Sequence, residues 1–478
     1  MGQKHAPLWD ALVKNKAAGR AQFHVPGHRG GRGISSDLRK LSGSDIFALD
    51  VTELPGTDDL HNPQGSIAEA QQLAAELYQA DRSFFLVNGT SVGIMALILA
   101  GCGPGDKIIV PRNAHRSVLS GLVMSGAYPI YYQPGIIENF NCLAGPDVSN
   151  IKGLMEKHAA IKAVLAINPT YYGVAGDLVP LAELCQKKGV PLLVDEAHGS
   201  HLRFYPGFPP DALGSGATAV VQSTHKMGGS LTQSSILHLK GRLICYDRVA
   251  DALRMLQSTS PSYLLMASLD LARRQMALSG REIWEQAFLR SKWCRDRLLN
   301  IKGVRILARE HLEKAGARYL DPTRLTISIT GLTGYQVGER LFQKGVVVEM
   351  ADHNSVVAVI SLGTTNEDCR RLVVGIKGLA LEGGNYETTH KIIKIPEPNV
   401  DLSPREAWLR GRKKVTIEKC LGMISAETIA VYPPGIPVLC PGERITGSVL
   451  EYLREVREHS FHLQGPSDTS LKTLTVII

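Results

Sequence analysis

Two residues have the type and placing to do chemistry together. Asp195 ends the apolar run Pro191-Leu192-Leu193-Val194, and Lys226 follows the apolar stretch Ala217–Gln222, in a glycine-containing turn. Such runs read as short buried strands, and strand ends are where open α/β sheets gather their ligands. A carboxylate at one strand end and an amine at a neighbouring one suit pyridoxal phosphate (PLP). The amine forms a Schiff base with the cofactor, and the carboxylate keeps the pyridine nitrogen protonated so that the ring accepts electrons. On its own the pair also fits a helix-capping aspartate and a solvated surface lysine. The segments able to complete a cofactor site decide between these readings.

Ser83–Val87 reads as a strand, and an apolar helix runs on to Ala100. Between them lies Asn88-Gly89-Thr90-Ser91. A strand, a Gly/Thr/Ser turn and a helix N-terminus offer free backbone N–H groups, two hydroxyls and a favourable dipole, the makings of a phosphate site. Without Lys226 it would be an ordinary strand-to-helix turn. After the strand Lys107–Val110, the segment Pro111-Arg112-Asn113-Ala114-His115-Arg116-Ser117 opens another helix. An imidazole at 115 can lie flat against an aromatic cofactor, although a lone loop histidine is more often only polar. Gly101-Cys102-Gly103-Pro104-Gly105 follows a helix and precedes a strand, the reverse of a dinucleotide-binding turn.

The elements that must hold these pieces alternate along the chain. Strand Ala163–Ile167, loop Asn168–Gly173, a helix near Leu181–Lys188 and strand Leu192–Val194 continue the pattern. Repeated strand–helix units imply a mostly parallel sheet covered on both faces, with its loops gathered on one edge. There 88–91, 113–117, 168–173, 195–198 and 223–226 can meet. Upstream, Ser66 and Glu69 make a capping-box pattern at the start of a helix. The helical pattern Tyr263–Leu299 leads to an α+β region with strands expected at Leu325–Ile329, Val346–Val348 and Val356–Ile360. Pro396-Glu397-Pro398-Asn399 marks a linker, and a helix starts at Pro404. The expected division is therefore 1–60 as an N-terminal segment of active-site and interface loops, 61–300 as a PLP-binding large domain, 301–390 as a small α+β domain, and 391–478 as a C-terminal domain.

Composition narrows the function classes. The chain has 478 residues, 44% hydrophobic and 21% charged, enough for several domains. The net charge of +8 is spread out. Its one dense cluster, Arg410-Gly411-Arg412-Lys413-Lys414, reads as a solvated basic face, so no nucleic-acid partner is expected. No apolar run is long enough to span a membrane and no signal peptide is visible, so the expected location is the cytoplasm. The eight cysteines are scattered without a C-x-x-C, which argues against a zinc site or a disulfide frame. His24 and His28 flank Pro26-Gly27 and share no helical face, so no metal is expected there either.

The words His24-Val25-Pro26-Gly27-His28, Asp58-Asp59-Leu60-His61, Asn88-Gly89-Thr90-Ser91, Arg112–Ser117, Asp195-Glu196-Ala197-His198-Gly199, Ser223-Thr224-His225-Lys226, Ser403-Pro404-Arg405-Glu406-Ala407 and Tyr432-Pro433-Pro434-Gly435-Ile436-Pro437 resemble the bacterial ornithine/lysine/arginine decarboxylases of the fold type I PLP enzymes. The likeness spans nearly the whole chain. It is greatest to the compact arginine decarboxylase branch, which has no flavodoxin-like wing. The resemblance implies that Lys226 carries the cofactor, that Asp195 pairs with the pyridinium, and that Ala197 and His115 lie on opposite faces of the ring. It further implies that Gly89, Thr90, Ser91, Ser223 and His225 hold the phosphate and that His198 belongs to the cofactor site. A homodimer, or a dimer of such dimers, is implied, with each site lined by both subunits.

The implied reaction is decarboxylation of a basic amino acid, arginine to agmatine and carbon dioxide, in polyamine biosynthesis. Lysine and ornithine remain alternatives, and beyond them an aminotransferase or a carbon–carbon lyase. Decarboxylation requires a departing carboxylate that nothing clamps, whereas aminotransferases grip it with an arginine. The small-domain stretch Ala358–Gly363, where such an arginine would be sought, has none. His225 or Lys226 is expected to return a proton to the α-carbon. Glu427, with Asp59 as second candidate, is expected to receive the distal cation of the substrate; a helix-surface role for Glu427 is the alternative.

Overall fold

The computed structural model describes residues 2–43, 45–382, 395–432, 435–458 and 462–478. Seven strands form the large sheet: β1 (Arg82–Leu86), β2 (Lys107–Pro111), β3 (Tyr128–Tyr132), β4 (Ile161–Ile167), β5 (Leu192–Asp195), β6 (Ala219–Gln222) and β7 (Ser235–Leu239). Their order is β1-β7-β6-β5-β4-β2-β3. Strands β3, β2, β4, β5 and β6 run parallel, and only β7 is antiparallel to its neighbours. Parallel strands are buried on both faces and so read as continuous apolar runs. One face packs Leu86, Ile108, Val110, Leu165, Leu193 and Val221 under helices. The other buries Ile109, Val164, Ala166, Leu192, Val194 and Val220.

Register sets the edge that carries the chemistry. Ile167 pairs with Asp195, and Asp195 with Val221, so β4, β5 and β6 end level. Helix α1 (Gly89–Gly101) is apolar on every side and lies buried between sheet and helices. A β-carbon on Gly93 would come within 2.7 Å of Val221 and 2.8 Å of Leu86. Only glycine lets α1 settle this closely onto the sheet, and that approach brings Thr90 to the end of β6.

Helix α2 (Tyr263–Leu299) spans the predicted range and carries the chain to a four-stranded antiparallel sheet. That sheet comprises β8 (Val304–Ile306), β9 (Arg324–Ile329), β10 (Met350–Ala351) and β11 (Val356–Val359), in the order β8-β9-β11-β10. The strand expected at Val346–Val348 is absent; that stretch is extended loop, and pairing begins only at Met350. Val347 is exposed and fills no core position, so its β-branched composition misleads.

The C-terminal part has its own core around Ile429, Leu439, Val449, Leu453 and Leu474. Its helix Pro404–Leu409 is capped reciprocally by Ser403 and Glu406. Arg412, Lys413 and Lys414 lie exposed on a strand paired with Thr473–Ile477. Pro433 and Pro434 of the Tyr-Pro-Pro-Gly motif lie outside the described residues.

The helix Ser66–Tyr78 is not capped as expected, because neither Ser66 nor Glu69 makes a capping bond. Asp58 reaches in from the preceding loop instead. Its carboxylate accepts from the N–H groups of Gln64, Gly65, Ile67 and Ala68 at 2.8–3.2 Å. Burial opposes its charge, but these bonds outweigh that and lower its pKa. A lowered folded pKa means that the stabilisation is complete above the unfolded value and is lost as pH falls through the folded one. Asp58→Ala is expected to destabilise the protein by about 1–2 kcal/mol, read by urea unfolding at neutral pH. A change near zero would show that solvent satisfies those N–H groups equally well.

Candidate active site

Asp195 ends β5, with its Oδ1 accepting from the Ala197 N–H at 3.1 Å. Both residues and His198 are buried. Lys226 sits in a single helical turn, Thr224–Met227, directly after β6. His115 precedes the helix Arg116–Ser125, which it caps by accepting from Ser117 N–H at 3.2 Å. His115 and Lys226 are both exposed in the single chain, whereas Asp195 is buried. Burial lowers the His115 pKa, Asp195 opposes that, and Lys226 reinforces it. Asp195 ends β5 and Lys226 follows the adjacent β6, so the two stand at neighbouring strand ends, and His115 opens the helix that follows β2 of the same parallel sheet.

Next to them lies an anion cradle. Gly89 adopts φ +73°, a conformation that favours glycine, and donates to Gln233 O at 2.8 Å. Asn88 makes no side-chain cap, so the first turn of α1 keeps N–H groups for a ligand. The hydroxyls of Thr90 and Ser223 meet at 3.0 Å, and Ser91 is half-buried in the same turn. His225 lies beside them with Nδ1 2.8 Å from Ser234 O. A carbonyl can only accept, so Nδ1 carries a proton. Uncapped N–H groups, paired hydroxyls, a buried carboxylate and a lysine amine form the donor set that a phosphorylated pyridine requires.

The other side of Lys226 holds His198 together with two residues the sequence did not single out, Arg324 and Tyr171. Its Nζ is 2.9 Å from His198 Nε2, and Arg324 Nη2 is 3.1 Å from His198 Nδ1. The Tyr171 ring lies 4.5 Å from the His198 ring. Arg324 is the first residue of β9, where it pairs with Val359. The sequence reading sought a small-domain arginine only in Ala358–Gly363. Ala358–Gly363 has none, but the strand beside it does. A β-carbon on Gly173 would lie 2.6 Å from Arg324 Cγ, so the 168–173 loop admits the arginine only because that residue is glycine. Behind it Asp321, fully buried, accepts from Thr323 and lies 3.1 Å from His201 Nε2. Burial works against its charge, yet His201 and Arg324 bring its pKa down to about 2.

This chain of contacts fixes proton positions. A guanidinium only donates, so His198 Nδ1 must accept. Burial above all keeps His198 neutral, its pKa well below the ordinary value, and Arg324 acts in the same direction. Its one proton therefore sits on Nε2, pointing at Lys226 Nζ, and the lysine must accept it as a free amine. Burial likewise lowers the Lys226 pKa; Asp195 opposes, Arg324 adds to the lowering, and Glu349 opposes again. In cofactor-free protein, amine-selective labelling of Lys226 is expected to persist to lower pH than labelling of ordinary lysines. Arg324→Met should move that midpoint upward. Coincident midpoints in the two proteins would remove Arg324 from this role.

Two expected substrate residues lie elsewhere. Glu427 is neither on a helix nor exposed. Its carboxylate oxygens accept from Thr475 N–H at 2.6 Å and Ser467 N–H at 2.8 Å, holding the C-terminal core together. Asp59 accepts from His61 N–H at 2.8 Å within its own turn. Among the described residues, no bond of either reaches the Lys226 group.

A mostly parallel sheet with a lysine and an aspartate at the ends of adjacent strands, beside a helix-borne phosphate cradle, defines the fold type I class of PLP enzymes. Residues 6–368 match the model for "Orn/Lys/Arg decarboxylase, major domain", and residues 387–468 match that for "Orn/Lys/Arg decarboxylase, C-terminal domain". The chain belongs to this decarboxylase family. It is 40% identical to the arginine decarboxylase of Bacillus subtilis (strain 168), covering 100% of this chain and 99% of that one. To the arginine decarboxylase of Halalkalibacterium halodurans it is also 40% identical, over 99% and 98% of the two chains. The crystal structure of the Francisella novicida lysine decarboxylase shares the fold, with a TM-score of 0.86, 22% identity, and coverage of 99% of this chain and 81% of that one. Among the described residues no helix is long and apolar enough to cross a membrane, and no cluster of three or more His, Cys, Asp or Glu residues could hold a metal.

Proposed function

We propose that the protein is a PLP-dependent decarboxylase of a basic L-amino acid, with arginine as substrate and agmatine and carbon dioxide as products. The observation that carries the reading is the placing of Asp195 and Lys226 at the ends of adjacent strands, with the paired hydroxyls of Thr90 and Ser223 beside them, in a chain 40% identical end to end to an arginine decarboxylase. When bound, PLP supplies the electron sink for the charge left on the α-carbon as carbon dioxide departs.

The chain's own residues do the rest. Gly89, Thr90, Ser91, Ser223 and His225 hold the phosphate, and Asp195 holds the ring nitrogen's proton. Ala197 and His115 confine the ring between them. His198, kept neutral, presents a donor to the Lys226 amine and leaves it nucleophilic. His225 or Lys226 returns a proton to the α-carbon. The reading includes a cytoplasmic homodimer, in which the partner subunit would cover His115 and Lys226, both exposed in the single chain.

Carbon dioxide release from labelled arginine, lysine and ornithine, measured side by side, tests the reading. Arginine is expected to give the highest kcat/KM. Release from none of the three, or transamination instead, would overturn it.

A further inference from the structure

A line of buried side chains leads away from Lys226. Its Nζ lies 2.9 Å from His198 Nε2, and His198 Nδ1 lies 3.1 Å from Arg324 Nη2. Arg324 Nε is 3.9 Å from Asp321 Oδ2, which in turn is 3.1 Å from His201 Nε2. His198 is 7% exposed, Arg324 2%, and Asp321 and His201 0%. Charges this deep are weakly screened, so each acts further than it would at the surface.

The turn that carries Asp321 and Arg324 is held on several sides. Asp321 N–H donates to Gly173 O at 2.7 Å, which ties it to the 168–173 loop. Asp321 Oδ1 accepts from Thr323 N–H at 2.9 Å and from Thr323 Oγ1 at 2.7 Å, leaving Oδ2 for His201 and Arg324. Arg295 of α2 grips the same turn, donating to Pro322 O at 3.3 Å and to Arg324 O. Gly173 packs so closely on the Arg324 stem that the guanidinium has little room to turn. Fixed supports of this kind hold a reacting group in one geometry.

The charges acting on Lys226 are those of Asp195, Arg324 and Glu349, and Lys226 acts in turn on His198, His115 and His225. Burial lowers the Arg324 pKa, and Asp321 leads the groups that oppose this, ahead of Glu349 and Tyr171. The carboxylate therefore keeps the guanidinium charged. Being negative, it also offsets part of the positive potential that Arg324 sets up around the lysine.

We propose that Asp321 is a positioning residue for the chemistry at Lys226. It aims the Arg324 guanidinium at His198 Nδ1, so that the His198 proton stays on Nε2 and points at the lysine amine, and it offsets the arginine's charge there. The role in turnover rests on the decarboxylase reading of the same site, whereas the coupling of Asp321 to the lysine does not.

The first readout needs no cofactor. Amine-selective labelling of Lys226 in cofactor-free protein is followed against pH by peptide mass mapping. Asp321→Asn keeps the side chain's shape and removes its charge, so the amine gives up its proton more readily. The labelling midpoint is expected to fall by about half a pH unit or more, about a threefold change in labelling at fixed pH. Arg324→Met moves the midpoint the other way, and Asp321→Asn combined with Arg324→Met should lie below Arg324→Met alone. A residue that only held the fold together would leave the midpoint of folded protein in place. In PLP-loaded enzyme, kcat for arginine is expected to fall about 10-fold in Asp321→Asn, because the amine is less precisely held.

A midpoint in Asp321→Asn that coincides with wild type or rises would overturn the proposal, as would a kcat within about twofold of wild type. Where the unpaired arginine keeps the single variant from folding, the double variant decides against Arg324→Met, and coincident midpoints there overturn it equally. If wild type decarboxylates no basic amino acid, the activity reading fails, and the labelling profiles still decide whether Asp321 acts on Lys226.

Discussion

Lys226→Ala is expected to lose more than about 10⁴-fold in kcat/KM on arginine while still binding PLP noncovalently. The variant removes the covalent anchor and a proton-transfer group together, and the second alone is typically worth 10²–10⁴-fold. The cradle at Gly89–Ser91 and Ser223, the Asp195 carboxylate and the His115 ring are all untouched by the change. Cofactor should therefore remain in the purified variant, removable by dialysis. Native mass spectrometry together with carbon dioxide release checks both halves. Retained decarboxylation would mean that another amine does the work assigned to Lys226.

The second large effect is on stability. Arg112, which follows β2 and leads into the His115 loop, is fully buried and points its two terminal guanidinium nitrogens at Glu443 of the C-terminal part. Its Nη2 also donates to Val438 O at 2.7 Å, its charge lies 4.9 Å from the centre of the Tyr131 ring, and Glu443 accepts from Cys440 N–H at 2.9 Å. Burial disfavours the charge, but Glu443 outweighs it and Arg112 stays ionised. Glu443→Ala leaves that charge buried without a partner, which typically costs about 3–5 kcal/mol. Urea unfolding should show a loss of that size, together with lower activity because the same segment aims His115. Arg112→Met combined with Glu443→Leu should recover most of the stability, since an apolar pair of similar volume is often neutral or better. A loss below about 1 kcal/mol in Glu443→Ala would mean that water reaches the pair.

The parts of the site that could be read in the sequence are those whose chemistry sits in one short word at a strand end. Asp195, Lys226, His115 and Gly89–Ser91 each follow an apolar run, and parallel strands buried on both faces announce themselves that way. What could not be read depends on contacts between distant segments. Arg324 meets His198 across 126 positions, and Tyr171 meets Glu349 across 178. Arg324 stands one residue ahead of the apolar run from which its strand was recognised, so it looked like loop. The bonds of Glu427 likewise go to segments 40 and 48 positions downstream, which its local sequence does not announce. The helix after Ser66 carries a plausible cap of its own, yet the loop delivers Asp58 into the position first. Local pattern reports what a segment can do, and tertiary packing decides which possibility is used.

Borohydride reduction of the purified protein, followed by proteolysis and mass mapping, asks most directly whether Lys226 carries the cofactor. A pyridoxyl group on the peptide containing Lys226, together with loss of visible absorbance, is the result expected. A label on any other lysine, or none at all, would contradict it.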